Sequence, residues 1–278
     1  MLTLIADSGS TKTQWRVIDA SGTTTHDFTT PGLNPALMPA SAVDFGISTA
    51  LRKRRIQPGR VFYYGAGCTP ERIFVVRGAL SRLYPKAEIH VESDLVAAVR
   101  ALCADDEGIV CILGTGMASC LCGGGEIVCQ TPSLGYVLGD EGSGAVLGRR
   151  MVSAILKGAL PEKVCQAWKE EFGLSAADVI DRVYRQPQAN RFLSSFMPFV
   201  AQQRSVPEVR EILVDEFRTF FRRNVVPYHR PDLSVHFVGS VATHFQDEIA
   251  EAAAVEGFTM GAILQAPMDK LAAYHAAR

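Results

Sequence analysis

Net charge is nearly absent. The 278 residues carry 28 Lys and Arg against 29 Asp and Glu, a formal charge of −1. Holding nucleic acid as a main task needs a clear basic excess to neutralise phosphates, so no nucleic-acid partner is expected. The one basic run, Arg52-Lys53-Arg54-Arg55, reads as a solvated helix end. Long apolar runs are lacking too. None approaches the ~20 residues that span a bilayer. The opening run stops at Asp7 with no basic leader, unlike a signal peptide. A cytoplasmic protein without a membrane partner is the expectation. Cysteines number seven, and none has C-x-x-C spacing, which argues for reduced thiols rather than a disulfide framework or a zinc ribbon. Cys120, Cys122 and Cys129 lie near one another in sequence. Placed on a hairpin, Cys120 and Cys122 share one face and read as a small buried thiol pair, with zinc the weaker reading. Disorder is excluded by 47% apolar against 21% charged residues.

The length suggests about two domains, and a repeated order of elements supports that number. The first half reads strand 2–6, turn, strand 14–18, turn, strand 24–28, helix 40–53, strand 61–64, helix 71–84, strand 88–91 and helix 94–104. The second half reads strand 108–113, turn, strand 118–122, turn, strand 126–130, helix 143–157, a mostly helical insertion over about 161–226, strand 235–238, helix 243–255, a short segment at 258–262 and a last helix from 267. Both are β-β-β-α-β-α-β-α. Tight turns imply an antiparallel start and β-α-β links imply parallel additions, so each half predicts a mixed sheet flanked by helices.

Both halves place a glycine-bearing turn between their first two strands: Asp7-Ser8-Gly9-Ser10-Thr11-Lys12-Thr13 and Gly114-Thr115-Gly116. Such turns present backbone N–H groups and small hydroxyls to phosphate oxygens. A carboxylate repels phosphate, so Asp7 suits Mg²⁺, held through water, instead. Asp94 follows a strand and opens an apolar-periodic helix, so it is a candidate helix N-cap as well as a candidate base. Asp140 and Glu141 stand between glycines at a helix start, where carboxylates also complement the helix dipole. Asn34 before Pro35 suits a turn. No histidine cluster is visible; His90, His236 and His244 read as structural or exposed. Phe217, Phe220 and Phe221 with Leu213 fit a helix core.

These motifs resemble those of the sugar-kinase, actin and heat-shock-chaperone superfamily of ATP-binding folds, and within it the N-acetylglucosamine kinase family, also called the BadF/BadG/BcrA/BcrD ATPase family. Asp-Ser-Gly-Ser-Thr-Lys-Thr at 7–13 resembles its first phosphate motif and Leu-Gly-Thr-Gly at 113–116 its second. Gly-Leu-Asn at 32–34 resembles its sugar-binding turn, and Glu-Ser-Asp at 92–94 its catalytic segment. Gly-Asp-Glu-Gly-Ser-Gly at 139–144 resembles its sugar-site motif, and Phe-Val-Gly-Ser-Val at 237–241 its adenosine motif. The resemblance implies an α/β fold of two actin-like ATPase (ribonuclease H-like) lobes, each a mixed five-stranded sheet flanked by helices, with a cleft between them. The lobes would be residues 1–107 and 108–265, the latter carrying the insertion at about 161–226, and the helix of residues 266–278 would pack back on the first. The resemblance further implies ATP and Mg²⁺ as cofactors, an amino sugar as small-molecule partner, and a homodimer. Gly9, Ser10, Thr11, Lys12, Gly114, Thr115 and Gly116 would meet the phosphates, and Gly239 and Ser240 the adenosine. Asp7 would organise Mg²⁺. Asn34, Ser133, Leu134, Gly135 and Asp140 would meet the sugar, and Asp94 would take the proton of the attacking hydroxyl.

The sequence departs from the family at Ser8 and Ser10, where glycine is common; a serine hydroxyl there could still donate to phosphate. It departs again at Met117-Ala118, where the family often has Ser-Asn, and at Leu134, where it often has tryptophan. The last two fall on the sugar side. The resulting expectation is an ATP-dependent kinase for N-acetylglucosamine or a relative. Two alternatives stand beside it. One is an ATPase of the dehydratase-activator type, which would want a cysteine for an iron–sulfur cluster where this chain reads Gly139–Ala145. The other is an ATP-binding sugar sensor without kinase activity.

Overall fold

The computed structural model of the protein describes residues 1–9 and 11–278. The described residues form two compact units. Unit 1 comprises Met1–Asp106, Gly123–Ile127 and Ala266–Arg278; unit 2 comprises Glu107–Cys122 and Val128–Gln265.

Unit 1 is built on strands β1 (Thr3–Ser8), β2 (Lys12–Ile18), β3 (Thr24–Pro31), β4 (Arg60–Gly65) and β5 (Glu88–Ser93) in the order β3-β2-β1-β4-β5. The β1–β2 and β2–β3 pairs are antiparallel, and β1–β4 and β4–β5 are parallel. Tight turns permit the first kind and helical crossovers the second. Helices α1 (Ala40–Leu51), α2 (Ile73–Leu83) and α3 (Asp94–Leu102) complete the repeat. The central strand β1 is covered on both faces, so Leu4, Ile5 and Ala6 are fully buried. The edge strand β3 is mostly exposed and threonine-rich, as an edge should be. Residues Arg52–Arg55 are exposed at the end of α1, the first three as a short 3₁₀ turn.

The second sheet repeats the plan with β6 (Gly108–Leu113), β7 (Met117–Gly123), β8 (Glu126–Gln130), β9 (Ser234–Val238) and β10 (Thr259–Leu264), in the order β10-β9-β6-β7-β8. Helices α4 (Gly135–Leu138) and α5 (Gly144–Leu156) precede the insertion. The insertion holds α6 (Glu162–Phe172), α7 (Ala176–Tyr184), α8 (Ala189–Ser194), α9 (Met197–Gln203) and α10 (Pro207–Phe220). It is not a satellite: Trp168, Phe196, Phe199, Leu213, Phe217, Phe220 and Phe221 are buried in the same core as β6 and β9. Cys120 and Cys122 are buried and Cys129 is exposed, with Cys122 Sγ donating to the Gly108 carbonyl. Among the described residues no group of three or more His, Cys, Asp or Glu could hold a metal ion, and no helix is long and apolar enough to cross a membrane.

Two features depart from the periodicity. The helix expected over 243–255 is two helices, α11 (Ser240–His244) and α12 (Gln246–Glu256), because Phe245 leaves helical geometry (φ −117°, ψ 30°) with its ring fully buried. Beyond α10 the chain widens into one π-helical turn, Phe221–Val225. The last helix, α13 (Met268–Ala276), belongs to unit 1. It buries Met268, Leu271 and Ala272 against Ile5, Ile18, Val96 and Ala97. Arg16 donates to Asp269 at 2.6 Å, and His275 Nε2 lies 2.9 Å from the Tyr64 hydroxyl. The two large apolar side chains alone are worth about 3–6 kcal/mol as an upper bound, enough to hold the helix in place.

Candidate active site

In unit 1 the predicted residues gather at the C-terminal ends of β1 and β5. In a layer of parallel strands that edge carries the ligands. Asp7 is the penultimate residue of β1. Asp94 is the first residue of α3, immediately beyond β5. The helix cap is Ser93, whose hydroxyl accepts the Val96 amide at 3.4 Å. Ser93 rather than Asp94 is therefore the N-cap residue, while the Asp94 carboxyl accepts the first amides of the helix, its own and that of Leu95.

Both carboxylates are electrostatically unusual. Burial first, then the facing charge of Asp94, pushes the Asp7 carboxyl up to about 7, against the pull of Lys12. Burial pushes Asp94 up to about 6, opposed by hydrogen bonds from the Leu95 and Asp94 amides. Two acids of raised pKa, one acting on the other through its charge at the C-terminal edge of parallel strands, make this edge the candidate site.

The first phosphate turn closes through the Gly9 amide, which donates to the Lys12 carbonyl at 2.9 Å. The contribution of Gly9 is thus the shape of the turn. Thr11 and Lys12 are exposed, and the Thr11 carbonyl accepts the Gly32 amide at 2.9 Å. Ser10 lies outside the described residues. Ser8 corrects an expectation. Its side chain is fully buried and its Oγ lies within 3.2 Å of Thr13 Oγ1, the Leu33 carbonyl and the Leu33 amide. That hydroxyl faces inward and does not donate to phosphate. Asn34 is largely buried, with Oδ1 accepting the Ala36 amide at 2.9 Å. It packs on Gly67, where a Cβ would come within 2.0 Å of Asn34 Oδ1. The glycine is what allows β4's exit loop to approach so closely.

In unit 2 the second turn is fixed to a helix start. The Gly114 amide closes the turn on the Gly116 carbonyl at 3.0 Å. The carbonyls of Gly114 and Thr115 accept the first amides of α5, Gly144 and Ala145, at 2.8 and 3.2 Å. Ser143, fully buried, caps the same helix through the Val146 amide. Gly239 runs against the turn: its φ of +126° is open to glycine, and a Cβ there would lie 2.2 Å from the Leu113 carbonyl oxygen. Ser240 follows as the exposed first residue of α11. The turn at 114–116 and the segment at 237–241, read from the sequence as phosphate and adenosine motifs, are thus adjacent.

Asp140 sits in the left-handed region at φ 55°, which short polar side chains tolerate. Its Oδ1 accepts the Gly135 amide at 3.2 Å, and its Oδ2 lies 3.2 Å from the position of a Cβ on Gly116. Burial, chiefly, raises its pKa, with Glu141 adding and Gly135 opposing. Ser133, Leu134 and Gly135 are exposed beside it. Gly114, Thr115, Gly116, Gly135, Asp140 and Gly239 therefore form one cluster.

Glu141 does something different from its neighbour. Arg223 Nη1 donates to one of its oxygens at 2.8 Å and Asn224 Nδ2 to the other at 3.1 Å. Burial would raise its pKa, but these hydrogen bonds prevail and lower it. The adjacent Gly142 amide donates to Glu216 Oε1 at 3.1 Å, and Arg150 holds the other Glu216 oxygen at 2.8 Å. The acidic motif is therefore one carboxylate turned to the site and one locked into the π-helical turn 221–225. Such single-turn π segments often occur at functional sites. The asparagine backbone completes the clamp, accepting Ser119 Oγ at 3.0 Å, while Tyr228 binds Ser119 and the Thr131 amide. No sequence signal tied Arg223, Asn224, Glu216 or Tyr228 to the motif, because each lies 70 or more residues away along the chain.

No protein-family profile matches this sequence, and no curated protein does. Solved structures do. A putative N-acetylglucosamine kinase from Porphyromonas gingivalis is 44% identical over 99% of both chains, with a TM-score of 0.95. A putative N-acetylglucosamine kinase from Chromobacterium violaceum is 17% identical over 100% of this chain and 99% of its own, with a TM-score of 0.70. A ROK family glucokinase from Streptomyces griseus, in complex with glucose and AMPPNP, is 17% identical over 100% and 98%, with a TM-score of 0.57. At such identities the last two share the fold alone. Two mixed five-stranded sheets of one strand order, flanked by helices, define the actin-like ATPase fold of the sugar kinases. The chain belongs to the N-acetylglucosamine kinase-like family represented by the P. gingivalis protein.

Proposed function

We propose that the protein is an ATP- and Mg²⁺-dependent kinase that transfers the γ-phosphate to a hydroxyl of an amino sugar, N-acetylglucosamine or a relative. The observation that carries this reading is the Asp7–Asp94 pair at the C-terminal ends of β1 and β5, with Ser93 rather than Asp94 capping the helix. Family membership at 44% identity supports the substrate class.

Asp94 is the base. With a pKa near 6 it is ionised at neutral pH yet basic enough to accept a hydroxyl proton as the oxygen attacks phosphorus. Its position at the start of α3 is rigid, since Leu95 to Val99 behind it are buried. Asn34 and Asp140 offer hydrogen bonds to sugar hydroxyls. Thr11, Lys12, Thr115 and Gly116 contact phosphate oxygens, and Ser240 meets the adenosine. The residues fit Mg²⁺: it favours one or two carboxylates with water and phosphate oxygens completing its shell, and Asp7 is a half-buried carboxylate beside exposed Lys12. When bound, the ion supplies charge neutralisation to the phosphates. The chain's contribution is positioning and proton acceptance. A cytoplasmic homodimer is the expected form.

The test is a phosphorylation screen with MgATP over N-acetylglucosamine, glucosamine, other amino sugars and glucose, following both ADP release and the sugar phosphate. Sugar-dependent ADP release with an amino sugar phosphate as product is the expected result. Binding of ATP and sugar without transfer on any of them would leave a sensor rather than a kinase.

A further inference from the structure

We propose that Ser8 is a positioning residue of the sugar site, fixing the turn Gly32-Leu33-Asn34 from within the first phosphate motif. The proposal rests on the kinase reading above for what Asn34 binds, but not for the geometry. Ser8 ends β1, next to Asp7, and is completely buried. A serine hydroxyl has one hydrogen and two acceptor positions. Three polar partners lie within hydrogen-bond reach of it. The Leu33 amide donates to Oγ at 3.2 Å, Thr13 Oγ1 lies 2.7 Å from Oγ with either hydroxyl able to donate, and the Leu33 carbonyl lies within donating reach of the Ser8 hydroxyl at 3.1 Å. A second hydroxyl, that of Tyr63 on β4, reaches the same carbonyl at 3.4 Å. Leu33 is therefore held by both its N–H and its C=O from one side chain 25 residues upstream.

The consequence falls on Asn34. Leu33 is itself buried, so its amide has no solvent to turn to if the hydroxyl is lost. The turn that presents Asn34 would then have to shift. The phosphate turn would not, because Ser8 keeps its backbone pairing with Thr13 on β2 and Gly65 on β4 whatever its side chain. Serine at this position thus acts on sugar affinity rather than ATP affinity.

The experiment is steady-state kinetics on Ser8→Ala and Asn34→Ala in the full chain, with N-acetylglucosamine and ATP varied in turn, beside amide hydrogen exchange without ligands. Losing the contact should raise KM for N-acetylglucosamine about 10- to 100-fold in Ser8→Ala, with KM for ATP within about threefold. The Ser8/Asn34 double variant should be little worse than the worse single one, since one residue acts through the other. Exchange over residues 32–38 should quicken at least about tenfold while Leu4–Ala6 is unchanged. Unchanged exchange in 32–38, or a rise in KM for ATP matching that for sugar, overturns the proposal. If Asn34→Ala raises the sugar KM and Ser8→Ala does not, the proposal fails while the kinase reading stands. If the wild type turns over no amino sugar, the kinase reading fails and the exchange experiment still decides whether Ser8 holds the turn. Ser8→Cys, similar in size but a weak hydrogen-bonding group, replaces the alanine variant should that not fold; if neither folds, the hydroxyl supports the fold rather than the site and the proposal is wrong.

Discussion

Replacing Asp94 with asparagine should make the protein more stable and nearly inactive at once. The carboxyl rises from 3.8 to about 6 in the folded protein, chiefly through burial. Two pKa units correspond to about 3 kcal/mol of destabilisation once the group is ionised in the fold. The sign follows from proton counts. Between about pH 4 and 6 the folded state binds the proton more tightly than the unfolded one, so stability falls as pH rises through that window. Asparagine removes the charge and also relieves Asp7, whose carboxyl is pushed up in part by Asp94. The helix cap is untouched, because Ser93 supplies it. Burying the amide takes back part of the gain, leaving about 1–3 kcal/mol, or roughly 2–10 °C in Tm at pH 8 without ligands. About half of the difference should remain at pH 5 and little at pH 4. Sugar phosphorylation should fall ~10²- to 10⁴-fold, the usual cost of losing a general base. Thermal melts across pH and a coupled ADP assay measure the two effects. A variant with more than about a tenth of wild-type turnover, or one melting no higher than wild type at pH 8, would refute the assignment of Asp94 as a buried base.

For the same reason kcat/KM for the sugar should rise from pH 5 to between 7 and 8, as the Asp7–Asp94 pair with values near 7 and 6 gives up its protons, then level off; a profile flat down to pH 5 would contradict it. Gly239→Ala places a Cβ 2.2 Å from the Leu113 carbonyl at a φ of +126°, so it should cost at least ~3 kcal/mol or displace the second phosphate turn, seen as a lower Tm and ATP affinity reduced at least about tenfold. Without the asparagine and tryptophan common in related motifs, Ala118 and Leu134 should leave discrimination for the N-acetyl group weak. Comparable kcat/KM on glucosamine and N-acetylglucosamine is expected, and a preference of thousands-fold would count against it.

Strand direction was readable because it follows from local features, whereas the order that sets β4 beside β1 came only from the structure. Tight turns after β1, β2, β6 and β7 dictate antiparallel neighbours, and helical spacers dictate parallel ones. The motif positions were readable too, since Asp7, Gly114 and Asp94 each mark a junction where strand meets turn or helix. What local pattern could not give was the use of each side chain. Ser8 looked like a phosphate-loop hydroxyl and faces the core; Asp94 looked like a helix cap and has Ser93 doing that work. Asp140 and Glu141 are adjacent in sequence yet separate, one turned to Gly135 and Gly116, the other locked by Arg223 and Asn224 from 82 and 83 residues away. The sequence determined where turns, helices and carboxylates fall, because φ/ψ preference and apolar period act over a few residues. Only the tertiary structure decided which partner each polar group meets, because a hydrogen bond depends on a distance of about 3 Å in space and not on any separation along the chain.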